Sequence, residues 1–162
     1  MSARRIALLL GTTAAVVFSH TAIAQSTAAK VTPKAPAGVI APPTVSYVKV
    51  NGIDYSYDVV ETVAAGIVAF NLINSGADLH TMAVFELPEK HTLREFLDQY
   101  HAQGMIPAWM IGLGQTNTVA PKAEAFLTVR LKPGRYILAC LIPARDGRVH
   151  TEKGMVRLIT AK

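Results

Sequence analysis

The stretch YILACLIPARDGRVHTEKGM, residues Tyr136–Met155, holds the only cysteine of the 162-residue chain, Cys140, followed by His150 and Met155. Its first half reads as a strand, Arg135–Ile142, entered through KPGRY (Lys132 to Tyr136), where Pro and Gly mark a tight turn. That turn predicts Phe126–Leu131 and Tyr136–Ile142 as hairpin neighbours, with Cys140 near a strand end. Working outward, further runs rich in Val, Ile, Leu, Phe and Tyr lie between Gly, Pro and Asn signals. They are Ser46–Val50, Tyr55–Val60, Ile67–Ile73, Thr81–Leu87, Ala125–Leu131 and Met155–Thr160. Short strands at this spacing predict an all-β sandwich over residues 45–162, the size of one ordinary domain. No internal repeat is visible.

One segment departs from the strand pattern. Leu93, Phe96, Leu97 and Tyr100 recur at i, i+3, i+4 and i+7, with Thr92 and Glu95 as a capping box and Gly104 as the stop. A short inserted helix is expected over 92–103. His91 and His101, ten residues apart, read as solvent-facing structural histidines. GMIPAWMIGLG, Gly104 to Gly114, reads as an apolar loop over one end of the sandwich, with Trp109 in the core or at a docking surface. Met105 and Met110 read as adaptable core filling.

The N-terminus has the marks of an export signal over residues 1–24: Arg4 and Arg5, an apolar run from Ile6 to Phe18, and Ala22-Ile23-Ala24 before Gln25. The run is too short for a confident membrane span, and no second one follows, so the mature chain is expected without a transmembrane segment. Residues 25–44 carry four prolines and no alternating apolar pattern, and read as an extended Pro/Ala-rich linker. These features predict an exported protein, periplasmic or secreted.

A single cysteine cannot form an internal disulfide. Cys140 is therefore buried as a small hydrophobe, paired between chains or bound to a metal. His80 closes the upstream segment FNLINSGADLH. One thiolate, two imidazoles and a thioether make up a His2Cys set with a weak axial Met, the donors of a mononuclear copper electron-transfer site. Each residue also has a plainer role: His80 as a strand end, His150 as an exposed loop residue, Met155 as core.

The Asn-x-Gly segment Asn74-Ser75-Gly76-Ala77-Asp78-Leu79-His80 is joined to a Pro-Gly-x-Tyr-x-x-x-Cys strand, then a His and a Gly-Met. The combination resembles the cupredoxin family, the blue or type 1 copper proteins, over residues 45–162. The resemblance implies a Greek-key β-sandwich and one copper ion per chain, Cu(I) or Cu(II). His80, Cys140, His150 and Met155 would be its ligands, and Thr81 and Asn74 would support them from behind. It implies one-electron transfer with a redox partner protein. The departure from the pattern is the Cys-to-His loop: positions 141–149 intervene where most cupredoxins have only a few residues. For His150 to face Cys140, Ala144–Val149 must make an excursion around Asp146-Gly147 and return.

No nucleophile, base and oxyanion set argues for hydrolysis, and no His-x-His cluster argues for oxygen chemistry, so an enzyme is not expected. The formal charge of +5 falls to +3 without Arg4 and Arg5. Lys132, Arg135, Arg145, Arg148, Lys153 and Arg157 crowd the sequence near the candidate site, which would suit an acidic redox partner. An export signal and the lack of a binding motif argue against nucleic acid. Two other readings stay open: a copper-trafficking protein that passes no electrons, and a metal-free interaction module of the same fold.

Overall fold

Alternation of apolar and polar side chains drives the architecture, because successive strand residues face opposite sides of a sheet. The computed structural model describes residues 43–162; the predicted signal (1–24) and all of the predicted linker except Pro43 and Thr44 lie outside the described residues. The first sheet has four strands in the order β2-β1-β4-β7: β1 (Val45–Ile53), β2 (Ser56–Asp58), β4 (Gly66–Asn74) and β7 (Glu124–Leu131). The second has five in the order β3-β9-β8-β5-β6: β3 (Thr62–Val63), β5 (Ala83–Leu87), β6 (Ile111–Gln115), β8 (Gly134–Ala139) and β9 (Val156–Ala161). β1 runs parallel to β4 and β3 parallel to β9, while the other pairs are antiparallel.

Between the sheets lies the main core, with Val48, Val50, Val68, Phe70 and Leu72 on one side and Met82, Val84, Tyr136, Leu138 and Ile159 on the other. A second cluster covers the opposite face of the five-stranded sheet. There Phe85, Leu87, Ile137 and Ala139 meet Phe96 and Tyr100 of the helix α1 (Leu93–Gln103). Both faces of β8 are thus covered, which is why its last four residues are all buried, whereas β1 alternates along Tyr47–Val50. Each large apolar side chain buried here stabilises by about 1.5–3 kcal/mol. With Cys140 as a free thiol, that core holds the domain without a disulfide.

The capping box of α1 is formed as the sequence predicts: Thr92 Oγ1 accepts from the Glu95 N–H, and the Glu95 carboxylate accepts from the Thr92 N–H. Gly104 ends the helix in the left-handed region at φ 65°, where a side chain would be strained. Two expectations change nearby. His91 is not solvent-facing: its ring stacks on Trp109 at 4.0 Å, and the Trp109 indole N–H donates to Gln99. The segment read as a loop from Gly104 to Gly114 contains β6, a strand hidden by the glycines that flank Leu113 and paired to β5 across a bulge at Val84/Phe85. Met110 is buried and fills the core, whereas Met105 is exposed.

The largest correction concerns KPGRY. β7 and β8 are not hairpin partners: β7 pairs with β4 in one sheet and β8 with β5 and β9 in the other. The turn is a corner between sheets. Pro133 has no N–H to continue a ladder. The Tyr136 hydroxyl is held by the Lys132 backbone on both sides, accepting from its N–H and donating to its carbonyl at 2.9 Å each.

Candidate metal centre

His80, Cys140 and His150 come from three separate places and converge at one end of the sandwich. All three are buried, and their donor atoms lie within 4.8 Å of one another. His80 sits between β4 and β5 and is fixed by a two-way backbone pair with Val119, at 3.1 and 2.7 Å. Its loop folds around the buried Asn74 side chain. The Asn74 amide donates to the carbonyls of Asp78 and Val119, each at 2.8 Å, and accepts from the Gly76 N–H at 2.9 Å. This is side-chain-to-backbone bonding that gives an irregular segment a definite shape.

Cys140 follows β8 directly, its N–H donating to the Met155 carbonyl at 3.1 Å. Its sulfur faces the Thr81 N–H at 3.4 Å and the Thr81 hydroxyl at 3.7 Å. Thr81 is held from behind by the Tyr57 hydroxyl, which donates to its carbonyl. Burial, with Cys140 beside it adding to the effect, pushes the Tyr57 hydroxyl well above its ordinary pKa, so it stays a donor.

The long loop between Cys140 and His150 returns as the sequence requires. Ala144 N–H donates to the Arg148 carbonyl at 2.8 Å and Gly147 N–H to the Ala144 carbonyl at 2.9 Å, closing a small excursion. Pro143 then bridges to Val149, and His150 N–H reaches the Ile142 carbonyl at 2.9 Å. His150 opens a short 3₁₀ helix (His150–Lys153), in which the Thr151 hydroxyl donates to the Cys140 carbonyl at 2.7 Å.

The ring nitrogens meet head on: His80 Nδ1 lies 3.2 Å from His150 Nδ1, which lies 3.4 Å from Cys140 Sγ. Burial depresses the pKa of both imidazoles, with the neighbouring ring adding to the effect at His150 and nearby carboxylates only partly opposing it. Both shifts favour the neutral ring, the form that keeps a lone pair for a metal. Donors bonded to one ion at roughly 2.0–2.3 Å sit a little over 3 Å apart, which these spacings match. The fourth candidate, Met155, is fully buried. Gly52 lies beside both Met155 and His80: a Cβ built on it would be in ordinary contact with Met155 Cε at 3.4 Å and His80 Cδ2 at 3.5 Å, which places Met155 at the same end of the sandwich. Soft sulfur donors with imidazoles are a set that suits copper.

Asp54, absent from the sequence argument, is part of this centre. Its Oδ1 lies 2.8 Å from His80 Nε2, and the carboxylate also accepts from the N–H groups of Ala77 (2.7 Å) and Asp78 (3.3 Å). Partial burial raises the Asp54 pKa, but these hydrogen bonds outweigh it and the net shift is downward. Asp54 is 26 positions from His80 and no local motif marks it, so only the folded chain reveals it.

His150 is 1 % exposed, and its Nε2 has no hydrogen-bond partner among the described residues. Tyr55 packs edge-on against its ring at 4.7 Å. Beside it opens a cleft of about 560 Å³, walled by Ala77–Leu79, Thr118, Pro121 and Ile142–Arg145. The six cations singled out from the sequence do not form one surface. Arg145, Arg148 and Lys153 lie around the long loop and face Asp78 or Asp146, whereas Arg135 binds backbone carbonyls before α1 at the other end of β8 and Arg157 pairs with Glu61.

Solved structures with a similar fold include three auracyanins. One from Roseiflexus castenholzii, reduced with dithionite, is 19% identical, with a TM-score of 0.51 over 72% of this chain and 97% of its own. Auracyanin B is 15% identical, with a TM-score of 0.51 over 76% and 93%. Auracyanin A, described as a "blue" copper protein from the green thermophilic photosynthetic bacterium Chloroflexus aurantiacus, is 14% identical, with a TM-score of 0.52 over 74% and 100%. The described domain has the cupredoxin fold. No protein-family model and no curated protein sequence matches the chain. The sandwich and its inserted helix are therefore as the sequence implied, and no helix among the described residues is long and apolar enough to cross a membrane.

Proposed function

We propose that this cupredoxin-like domain binds one copper ion through His80, Cys140 and His150, with Met155 as the weak axial donor, and carries single electrons to or from a redox partner. The observation that carries the reading is the convergence of a buried thiol and two buried imidazoles, with the Thr81 N–H already aimed at the sulfur. Copper binding would itself drive deprotonation of Cys140. A rigid mixed site of this kind needs little rearrangement between Cu(I) and Cu(II), which favours electron transfer over chemical turnover. The description of auracyanin A as a blue copper protein supports the same reading. Export to the periplasm or beyond, by a signal at residues 1–24 followed by a linker to residue 44, is part of the proposal. The partner would approach the cleft beside His150, and Arg145, Arg148 and Lys153 near it would suit an acidic surface.

Visible absorption and EPR of the purified chain titrated with Cu(II) test this directly. An intense thiolate-to-copper band, lost in both Cys140→Ser and His150→Ala, is the expected result. Absence of the band, or its survival in His150→Ala, would reject the proposed ligand set.

A further inference from the structure

The two imidazoles of the centre differ in what lies behind them. His150 Nε2 has no partner among the described residues, whereas His80 Nε2 is 2.8 Å from a carboxylate oxygen. That carboxylate is built in. Its other oxygen accepts from the Ala77 N–H at 2.7 Å, and the oxygen facing His80 also accepts from the Asp78 N–H at 3.3 Å. Both oxygens of Asp54 therefore face N–H donors.

Room for this arrangement depends on Gly76. A Cβ there would stand 2.1 Å from Asp54 Oδ1 and 2.8 Å from His80 Nε2, distances no side chain tolerates. The backbone of the Asn-x-Gly segment and the carboxylate from the β1–β2 turn thus meet only because residue 76 has no side chain.

We infer that Asp54 is a positioning residue for His80: it holds the imidazole in the tautomer protonated at Nε2, so that Nδ1 presents its lone pair toward His150 and Cys140. A carboxylate oxygen ringed by donors can only accept, so the proton of the His80–Asp54 hydrogen bond belongs to the imidazole. Nδ1 is then unprotonated before any metal arrives. The inference has a second part, which rests on the copper reading of the site. A hydrogen-bonded carboxylate makes an imidazole a stronger ligand, and losing such a partner lowers metal affinity 10- to 100-fold. The effect is larger for Cu(II), the more demanding ion for a basic nitrogen donor, than for Cu(I).

The first test needs no metal. Long-range ¹H–¹⁵N spectra of the apo-protein report which ring nitrogen of His80 carries the proton. The wild-type chain is expected to show the Nε2–H form, and Asp54→Ala and Gly76→Ala, which remove or displace the carboxylate, a mixture with the Nδ1–H form. An unchanged tautomer in both variants would overturn the positioning role. Should Asp54→Ala fail to fold, Asp54→Ser, whose side chain is too short to take the carboxylate's place and leaves the His80 ring untouched, gives the same readout. Asp54→Asn keeps the shape and an acceptor oxygen but removes the charge. It is expected to lower Cu(II) affinity at least tenfold more than Cu(I) affinity, which raises the reduction potential by about 59 mV per tenfold change in that ratio. An unchanged ratio would overturn the electronic part. Failure of the wild-type chain to bind copper would reject the proposed function, while the apo tautomer would still decide the role of Asp54.

Discussion

Two loops bring the proposed ligands to the same centre, and they are held in opposite ways. The His80 loop, from Asn74 to Thr81, is ordered by specific side-chain hydrogen bonds that run from buried to exposed: three buried or half-buried through the Asn74 amide, three through the Asp54 carboxylate at the surface edge, and a buried one from Tyr57 to the Thr81 carbonyl. The Cys140–His150 loop relies on backbone turns of its own and on ion pairs at its rim, Arg145 with Asp78 and Lys153 with Asp146. Buried polar groups are costly to leave unpaired, whereas exposed ion pairs contribute little. The difference teaches that a long ligand loop need not be rigid along its length, provided its two ends are fixed. Here Cys140 is anchored to Met155 and Thr151, and His150 to Ile142.

The largest effect is expected on the rigid side. Asn74→Ala leaves the Gly76 N–H and the Asp78 carbonyl without their partner, takes one of two donors from the Val119 carbonyl, and should cost about 3 kcal/mol in a urea unfolding curve. A loss below about 1 kcal/mol would mean that the His80 loop is held by the strands alone. Tyr57→Phe removes one donor from the Thr81 carbonyl and should cost about 1–2 kcal/mol by the same measurement. It should also broaden the amide resonance of Thr81, whose N–H faces the sulfur.

On the other side, Arg145→Ala should leave the unfolding midpoint nearly unchanged, because its side chain is 91% exposed. A large loss there would make the long loop as dependent on specific contacts as its counterpart. The smallest effect is one of pH. The Lys153 ammonium, with help from the Arg148 N–H, holds the Asp146 carboxyl at about 2, below its ordinary 3.8. A carboxyl lowered on folding contributes stability that is present above its ordinary pKa and lost as pH falls through its folded value. The melting difference between wild type and Asp146→Asn should therefore be small near neutrality and vanish by about pH 2. A difference that persists there would assign the loop's closure to something other than this pair.

Legibility followed the range of each interaction. The capping box of α1, the return of the chain around Asp146-Gly147 and the boundaries of most strands are set by residues a few positions apart, and the sequence shows them. The proposed donors His80, Cys140, His150 and Met155 could be named because their order and neighbours are distinctive. Asp54 could not be singled out, nor could the closeness of Gly76 to it. The importance of Asp54 lies in what a distant segment places beside it. KPGRY misled for a related reason: the same Pro-Gly signal serves a hairpin or a corner, and what decides is whether the next strand finds a better partner elsewhere.

The sequence by itself therefore determined most of the strands, the helix and the chemical types of the proposed donors, since periodicity, caps and turn residues act over a few peptide units. Tertiary structure alone decided that β7 and β8 belong to different sheets, that β6 completes the second one, and that Asp54 stands behind His80. Those outcomes depend on which distant surfaces bury each other best, and such a competition is settled only when the whole domain packs.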